Sequence, residues 1–270
     1  MSHRPAPRKL LTALLIAAVA AAPWVMLPAR TAAAQDLGPL DKPVSPELVK
    51  RLEKISRAGL NETPHFQSAP LKTVQDDQAG TDGAPLVLYV GADYCPFCAA
   101  LRWPLAIALM RFGDLRGLLY MRSSGRDVFP NTATFSFSKT QLSSGLLRFQ
   151  TVEIEDRDGK PLQKPTDAQL KTFMRFDIQP YTQYPGAIPF LDLGGRYLAI
   201  GSPFSPDSLQ GLDWQQIVQQ LERGGNPAWQ DIMGEADILT AAMCTLTRQQ
   251  PNGVCMAPAV KAAAGHLPHE

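Results

Sequence analysis

Cys95-Pro96-Phe97-Cys98 is the stretch of the 270-residue chain in which residue type and spacing together specify a reaction. Two thiols separated by two residues fall on one helical turn, where the second can attack a mixed disulfide formed by the first. Leu86 to Val90, just upstream, is a continuous apolar run that reads as a buried central strand ending at Gly91. Ala99 to Phe112, just downstream, is an Ala/Leu-rich helix with Trp103, Ile107 and Met110 at helical spacing. A Cys-x-x-Cys between strand and helix is the context of a redox pair. Unpaired N–H groups and the macrodipole at the helix start favour a thiolate, so Cys95 is expected to titrate below the free value of about 8.5 and to attack, with Cys98 resolving. Pro96 suits the first helical turn because it has no N–H to leave unsatisfied.

Other readings of the pair compete. Half of a zinc site would need further ligands, and the histidines (His3, His65, His266, His269) fall in the leader, the linker and the tail, so no metal and no cofactor is expected. A structural disulfide, or a chance pair of core cysteines, is the plainer alternative. The four cysteines allow three connectivities. Cys244 and Cys255 lie 11 positions apart around Pro251-Asn252-Gly253 at the end of a helix, so Cys95–Cys98 with Cys244–Cys255 is the natural pairing. The second pair reads either as a staple on the C-terminal helix or as a relay passing electrons to the first. Glu153, Glu155, Asp156 and Asp158 read as a solvated acidic face, because Glu153 and Glu155 alternate on a strand before a turn. No G-x-S-x-G, G-x-G-x-x-G or Walker pattern occurs. Trp103, Phe112, Trp214 and Trp229 read as core residues.

Several further elements must position the motif. Ser45-Pro46-Glu47 caps a helix in which Leu48, Leu52 and Ile55 recur up to Gly59. Asn61 to Gly83 carries no core pattern and reads as a surface linker. Strands follow over Gly117–Met121, Asn131–Phe137 and Leu146–Glu155, then an amphipathic helix over Asp167–Phe176 capped by Asp or Thr. A hairpin joins Gly186–Leu193 to Tyr197–Ile200, with Pro189 heading its first strand. Helices over Leu209–Leu221 and Pro227–Leu246 complete the order.

With 26 Lys+Arg against 25 Asp+Glu and 45% hydrophobic residues, the chain is neither a disordered acidic segment nor a basic nucleic-acid binder. Arg4, Arg8 and Lys9 precede an apolar run from Leu10 to Leu27, then Arg30 and Ala32-Ala33-Ala34, the layout of an export signal cut after Ala34 or of a retained N-terminal anchor. Without residues 1–34, which hold four basic and no acidic side chains, 22 basic and 25 acidic residues remain, a net charge of −3. The expected location is extracytoplasmic, with membrane contact only through that N-terminal segment.

The Cys-x-x-Cys after a central strand, with Ile188-Pro189 opening a later core strand, resembles thioredoxin-like proteins. That resemblance implies a cis proline at Pro189 opposite the cysteines, and a backbone at Ile188 that bonds a substrate strand beside Cys95. Pro96 and Phe97 would share the substrate-facing surface. Pro189 follows Cys98 by 91 positions, longer than in minimal thioredoxins, which implies an insertion at about 124–145. Thioredoxins carry a buried carboxylate on the strand entering the motif, and strong oxidants among their relatives carry a histidine inside it; here Leu86–Val90 has no carboxylate and Phe97 takes the histidine's place, so a moderate redox poise is expected.

A longer similarity joins the chain to an exported thioredoxin-like family labelled as a domain of unknown function, number nine-two-nine. It is carried by Gly91–Ala99, Arg102-Trp103, Arg111-Phe112-Gly113, Thr134-Phe135-Ser136-Phe137, Ile188-Pro189-Phe190, Cys244 and Cys255, and covers most of residues 45–260. The expected architecture is α/β: a thioredoxin-like central mixed sheet flanked by helices, with an insertion and added N- and C-terminal helices. The expected organisation is signal or anchor over 1–34, helix and linker over 35–84, thioredoxin-like domain over 85–223, and C-terminal helix and tail over 224–270. The expected function is thiol–disulfide oxidoreduction on a protein thiol, a disulfide substrate or a redox partner protein. The alternative is a non-catalytic binding or scaffold protein of the cell envelope whose cysteines form structural disulfides.

Overall fold

A computed structural model describes residues 37–66, 71–76 and 82–268, so the expected leader over 1–34 lies outside the described residues. Residues 37–270 form one compact unit, which contains all of these residues. It is a mixed α/β structure built on a five-stranded sheet.

The sheet is organised around β2 (Leu86–Gly91). On one side β2 pairs in parallel with β7 (Arg148–Glu153), with Leu86 opposite Arg148 and Gly91 opposite Glu153. On the other it pairs antiparallel with β8 (Phe190–Leu193), which turns through Gly194-Gly195 into β9 (Tyr197–Ile200). Both glycines have φ of +64°, a backbone geometry natural to glycine, which makes the tight reversal possible. The continuous apolar run is explained by burial on both faces. Val87 and Tyr89 join the larger core, while Leu88 and Val90 join a second core with Val152, Phe176, Phe190 and Leu198.

The outer strand corrects the sequence reading. β1 (Lys72–Thr73), inside the segment read as a surface linker, pairs antiparallel with β9. Leu71 and Val74, flanking it, are buried in the larger and the second core respectively. Two residues carry no periodicity of their own, so only the partner strand creates this element.

Helix α2 (Pro96–Met110) runs through the larger core and is apolar on every side; Phe97 is its one exposed residue. A helix of that kind must be enclosed. The sheet and α5 (Pro227–Leu246) enclose it, together with α1 (Pro46–Ala58) and the hairpin of β4 (Leu119–Arg122) and β5 (Ala133–Ser136). Trp103 Nε1 donates to the Ala133 carbonyl at 2.9 Å and Thr134 Oγ1 to the Ala99 carbonyl at 2.8 Å, fixing β5 to this helix. The expected insertion, 124–145, thus supplies β5 and β6 (Gln141–Ser143), whose partners β4 and β3 (Asp114–Arg116) precede it. On the far face of the sheet, α3 (Asp167–Phe176) brings Phe173 and Phe176 to the second core. Its Thr166 and Gln169 form a reciprocal capping box. α4 (Trp214–Arg223) starts later than the periodicity suggests, at the Asp213 cap, because Pro206–Leu209 forms a separate 3-10 turn.

One device binds the C-terminal part to the rest, and a second closes that part on itself. Arg111, capping α2, is buried; its Nη1 donates to Asp237 Oδ1 at 2.6 Å and to Thr240 Oγ1 at 2.8 Å on α5, and its Nε to the Ser56 carbonyl on α1 at 3.1 Å. Cys244, near the end of α5, is disulfide-bonded to Cys255 in α6 (Asn252–Cys255), with Cα atoms 5.6 Å apart and both residues buried. Replacing Arg111 with Met leaves Asp237 as an unpaired buried charge, and urea unfolding should show a loss of about 3–5 kcal/mol. Arg111→Met combined with Asp237→Leu should recover most of it; equal losses in the single and double variants would show that the pair does not act as a unit. Cys244→Ala with Cys255→Ala should lower unfolding free energy by about 3 kcal/mol, the loop-closure entropy of so short a ring.

Candidate functional site

Cys95 is the N-cap of α2. Its Sγ accepts from the Cys98 N–H at 3.4 Å, using one of the donors that a helix start leaves unpaired. Pro96 occupies the first helical position and is buried. Both motif cysteines are free thiols; Cys95 is 6% exposed and Cys98 is enclosed. Phe97 is 37% exposed and meets Phe129 edge to face, with centroids 5.8 Å apart.

The Ile188–Pro189 bond is cis, and the Cys95 thiol approaches the Ile188 carbonyl at 4.0 Å. The structure therefore brings together Cys95, Cys98, Pro96, Phe97, Ile188 and Pro189. Cys244 and Cys255 form their own bridge elsewhere in the core. Asp177, which follows α3, positions the Ile188 segment: it accepts from the Ala187 N–H at 3.1 Å and from the Gly186 N–H. Gly186 takes φ +82°, which glycine tolerates.

Beneath the thiols lies a charged cluster that the sequence reading missed. Arg102, one helical turn beyond Cys98, is fully buried. Its Nε donates to Glu153 Oε1 at 2.9 Å, and its Nη2 donates to Glu153 Oε2 at 2.6 Å and to the Ala92 carbonyl at 2.8 Å. Asp93 Oδ1 stands 3.4 Å from the same Nη2, and Asp93 Oδ2 accepts from Ser136 Oγ at 2.9 Å. The Phe137 N–H donates to Glu153 Oε1 at 3.0 Å. Glu153 is thus not part of a solvated face: it ends β7, the parallel neighbour of the central strand, and its carboxylate enters the interior where α2 presents a cation. Asp158 is exposed, and Asp156 accepts from the turn N–H groups of Asp158 and Lys160. The available signal was Arg102 itself, since an arginine on a helix apolar all round requires a buried anion. Tyr89, the polar residue of β2, places its buried hydroxyl beside the Cys98 thiol without forming a hydrogen bond.

The electrostatics separate the two thiols. The Cys98 thiol, hydrogen-bonding to Cys95, is the largest influence lowering the Cys95 pKa; burial opposes it, while the Cys98 N–H and the Arg102 charge assist. The helix end is thus a secondary cause rather than the main one the sequence reading expects. Burial drives the Cys98 pKa well above the ordinary thiol value, and a neighbouring Cys95 thiolate pushes it further up. Burial, followed by the Glu153 charge, raises Asp93 to about 7 against the pull of Arg102.

A lowered pKa keeps the thiolate populated to lower pH, so iodoacetamide should label Cys95 with a midpoint below about 8.5 and leave Cys98 unlabelled in the same digest. Cys98→Ala removes the thiol donor, and the Cys95 midpoint should move upward. An unchanged midpoint would show that the helix end alone sets it.

The family model described as Domain of unknown function (DUF929) matches residues 71–174 and 173–245, a region that contains the motif, the buried cluster, the cis proline and Cys244. No curated protein and no solved structure matches the chain. The chain belongs to the DUF929 family.

Proposed function

We propose that this chain is an extracytoplasmic thiol–disulfide oxidoreductase of thioredoxin-like architecture, acting on protein thiols through Cys95 and Cys98. The observation that carries the reading is the asymmetry of the pair: one thiol at a helix start with its pKa lowered, facing the carbonyl before a cis proline, and its partner enclosed one turn on with its pKa raised. The strand order β7-β2-β8-β9, with β7 parallel to β2 and the other pairs antiparallel, supports the thioredoxin-like assignment. The extracytoplasmic assignment rests on the basic and apolar leader.

In the reductive direction the Cys95 thiolate attacks a substrate disulfide. An S–S bond forms between Cys95 and one substrate sulfur as the substrate bond breaks, and the other sulfur leaves as a thiolate that takes up a proton. Cys98 then gives up its proton and attacks Cys95 Sγ, closing the Cys95–Cys98 disulfide and releasing the second substrate thiol. Two electrons pass to the substrate, and the reverse sequence oxidises it. Cys98 is the harder thiol to ionise, and the Arg102 charge bears on it favourably. Asp93, titrating near neutrality in the same cluster, is suited to take the proton. Phe97 and the Ile188 backbone flank Cys95 and would meet the substrate chain, while the buried Cys244–Cys255 bridge acts as a clasp.

In the host, Cys98→Ala should accumulate mixed disulfides visible on non-reducing gels, and Cys95→Ala with Cys98→Ala should abolish them. Purified wild-type protein should reduce a small aromatic disulfide with rates at least a hundredfold above Cys95→Ala. Absence of both adduct and turnover would replace this reading with that of a scaffold protein.

A further inference from the structure

On the side of the molecule formed by the β1–β9 edge and α5, a pocket of about 520 Å³ opens between Leu71, Leu198, Ile200, Tyr181 and Pro203. Its size falls in the range of small-molecule sites, and like them it joins apolar walls to a few polar groups. Glu235, on α5, forms part of the wall. It is 5% exposed and has no hydrogen-bond or ionic partner among the described residues. The basic side chain of the wall, Lys72, donates its Nζ to the carbonyl of Tyr181, another wall residue. Asp231, one turn earlier on α5 and beside Ser208, lies outside this wall and shares only a small adjacent recess with Glu235.

A buried carboxyl is ordinarily matched by a protein cation, as Asp237 is matched by Arg111 two residues further along the same helix. Glu235 has no such match, and it faces a cavity large enough to admit one.

We propose that this pocket binds a small organic cation, an ammonium group on an apolar body, with Glu235 as its counter-ion. The apolar part fills the space between Leu198, Ile200 and Tyr181, and the ammonium donates to the carboxylate. Burial alone holds the empty carboxyl at about 8, so it is mostly protonated at pH 7. Binding an ammonium favours the ionised form, so each ligand bound near neutrality displaces a proton from Glu235. Affinity therefore rises with pH through about 8 and falls again near 10, where the amine itself loses charge. Lys72 is the basic group of the wall, and Asp231, in the small adjacent recess, is the further acid on the Glu235 side. The site is separate from the redox reading, although Gly201, in the pocket wall, donates its N–H to the Pro189 carbonyl at 2.8 Å.

Titration calorimetry of the folded chain with n-octylammonium, n-octanol and n-octanoate tests this. The expected result is that octylammonium binds at least tenfold more tightly than the other two at pH 8, and that at pH 7 the apparent enthalpy varies with buffer ionisation enthalpy as proton release requires. Glu235→Gln should abolish the preference. Should that variant not fold, carbon NMR of the wild-type Glu235 carboxyl must show its midpoint falling on octylammonium addition. Equal binding of all three probes would overturn the cation site in favour of a merely apolar pocket. Absence of binding by any probe, or an unmoved Glu235 midpoint with octylammonium bound, would overturn it equally.

Discussion

A fully buried guanidinium sets the geometry of this molecule. Arg102 cannot be solvated, and the Nε and Nη2 donors of its fork are met by Glu153 from β7 and by Ala92 and Asp93 from the turn between β2 and α2, while Nη1 has no hydrogen-bond partner among the described residues. Those contacts fix the end of one strand, the exit of the next and the start of the helix in one arrangement. Asp93 extends the linkage to Ser136 on β5, and Glu153 extends it to the Phe137 N–H. The desolvation of these groups offsets much of their mutual attraction, so the cluster's contribution is to select one geometry rather than to add stability.

The cysteine pair inherits that geometry. Cys95 and Cys98 occupy the first turn of the helix that Arg102 anchors, and their chemical difference arises from their orientation within it. Cys95 meets the free N–H groups and the Ile188 carbonyl. Cys98 points inward, against Tyr89 and towards the charged cluster. One residue type thus acquires two opposite acidities within one turn, and a thiol that leaves its proton easily stands beside one that retains it. Asp177 and Gly186 place the opposite wall from the far side of the sheet, so the site is built between two independently anchored segments.

The parts of this arrangement that were legible in the sequence are those with local causes. The run Leu86–Val90, the helix Asp167–Phe176 with its Asp-or-Thr cap, which is Thr166, and the helix Pro227–Leu246 each announce themselves through burial pattern, capping chemistry or periodicity. The motif cysteines and Ile188-Pro189 were legible as chemistry and as resemblance. The parts not legible have partners distant in sequence. β1 consists of two polar residues made into a strand by β9. Glu153 reads as a neighbour of Glu155 because alternation assigns both to one face, yet β7 ends at Glu153, whose face is the one that Phe149, Val87 and Tyr89 bury in the larger core with α2 and its cation. Arg102 was visible only as an anomaly in an apolar helix, and its partner 51 positions away could not be named from spacing.

The buried acids divide by the same criterion. Asp237 and Glu235 sit two residues apart on α5, both enclosed, but Asp237 meets Arg111 and rises only to about 6, whereas Glu235 has no ionic partner among the described residues and rises to about 8. A carboxyl whose folded pKa exceeds its unfolded value makes the native state hold a proton that the unfolded chain has lost. Its cost is therefore absent below the unfolded pKa and grows as pH climbs towards the folded one. For Asp237 part of that cost is met by a cation the fold supplies, and its role in joining α5 to α2 accounts for its presence. Glu235 joins no other element among the described residues, and an apolar residue of similar size would relieve the fold of the burden. An ionisable carboxyl kept in the interior at a thermodynamic cost, at the wall of an open cavity, is better understood through what enters the cavity than through what holds the helix.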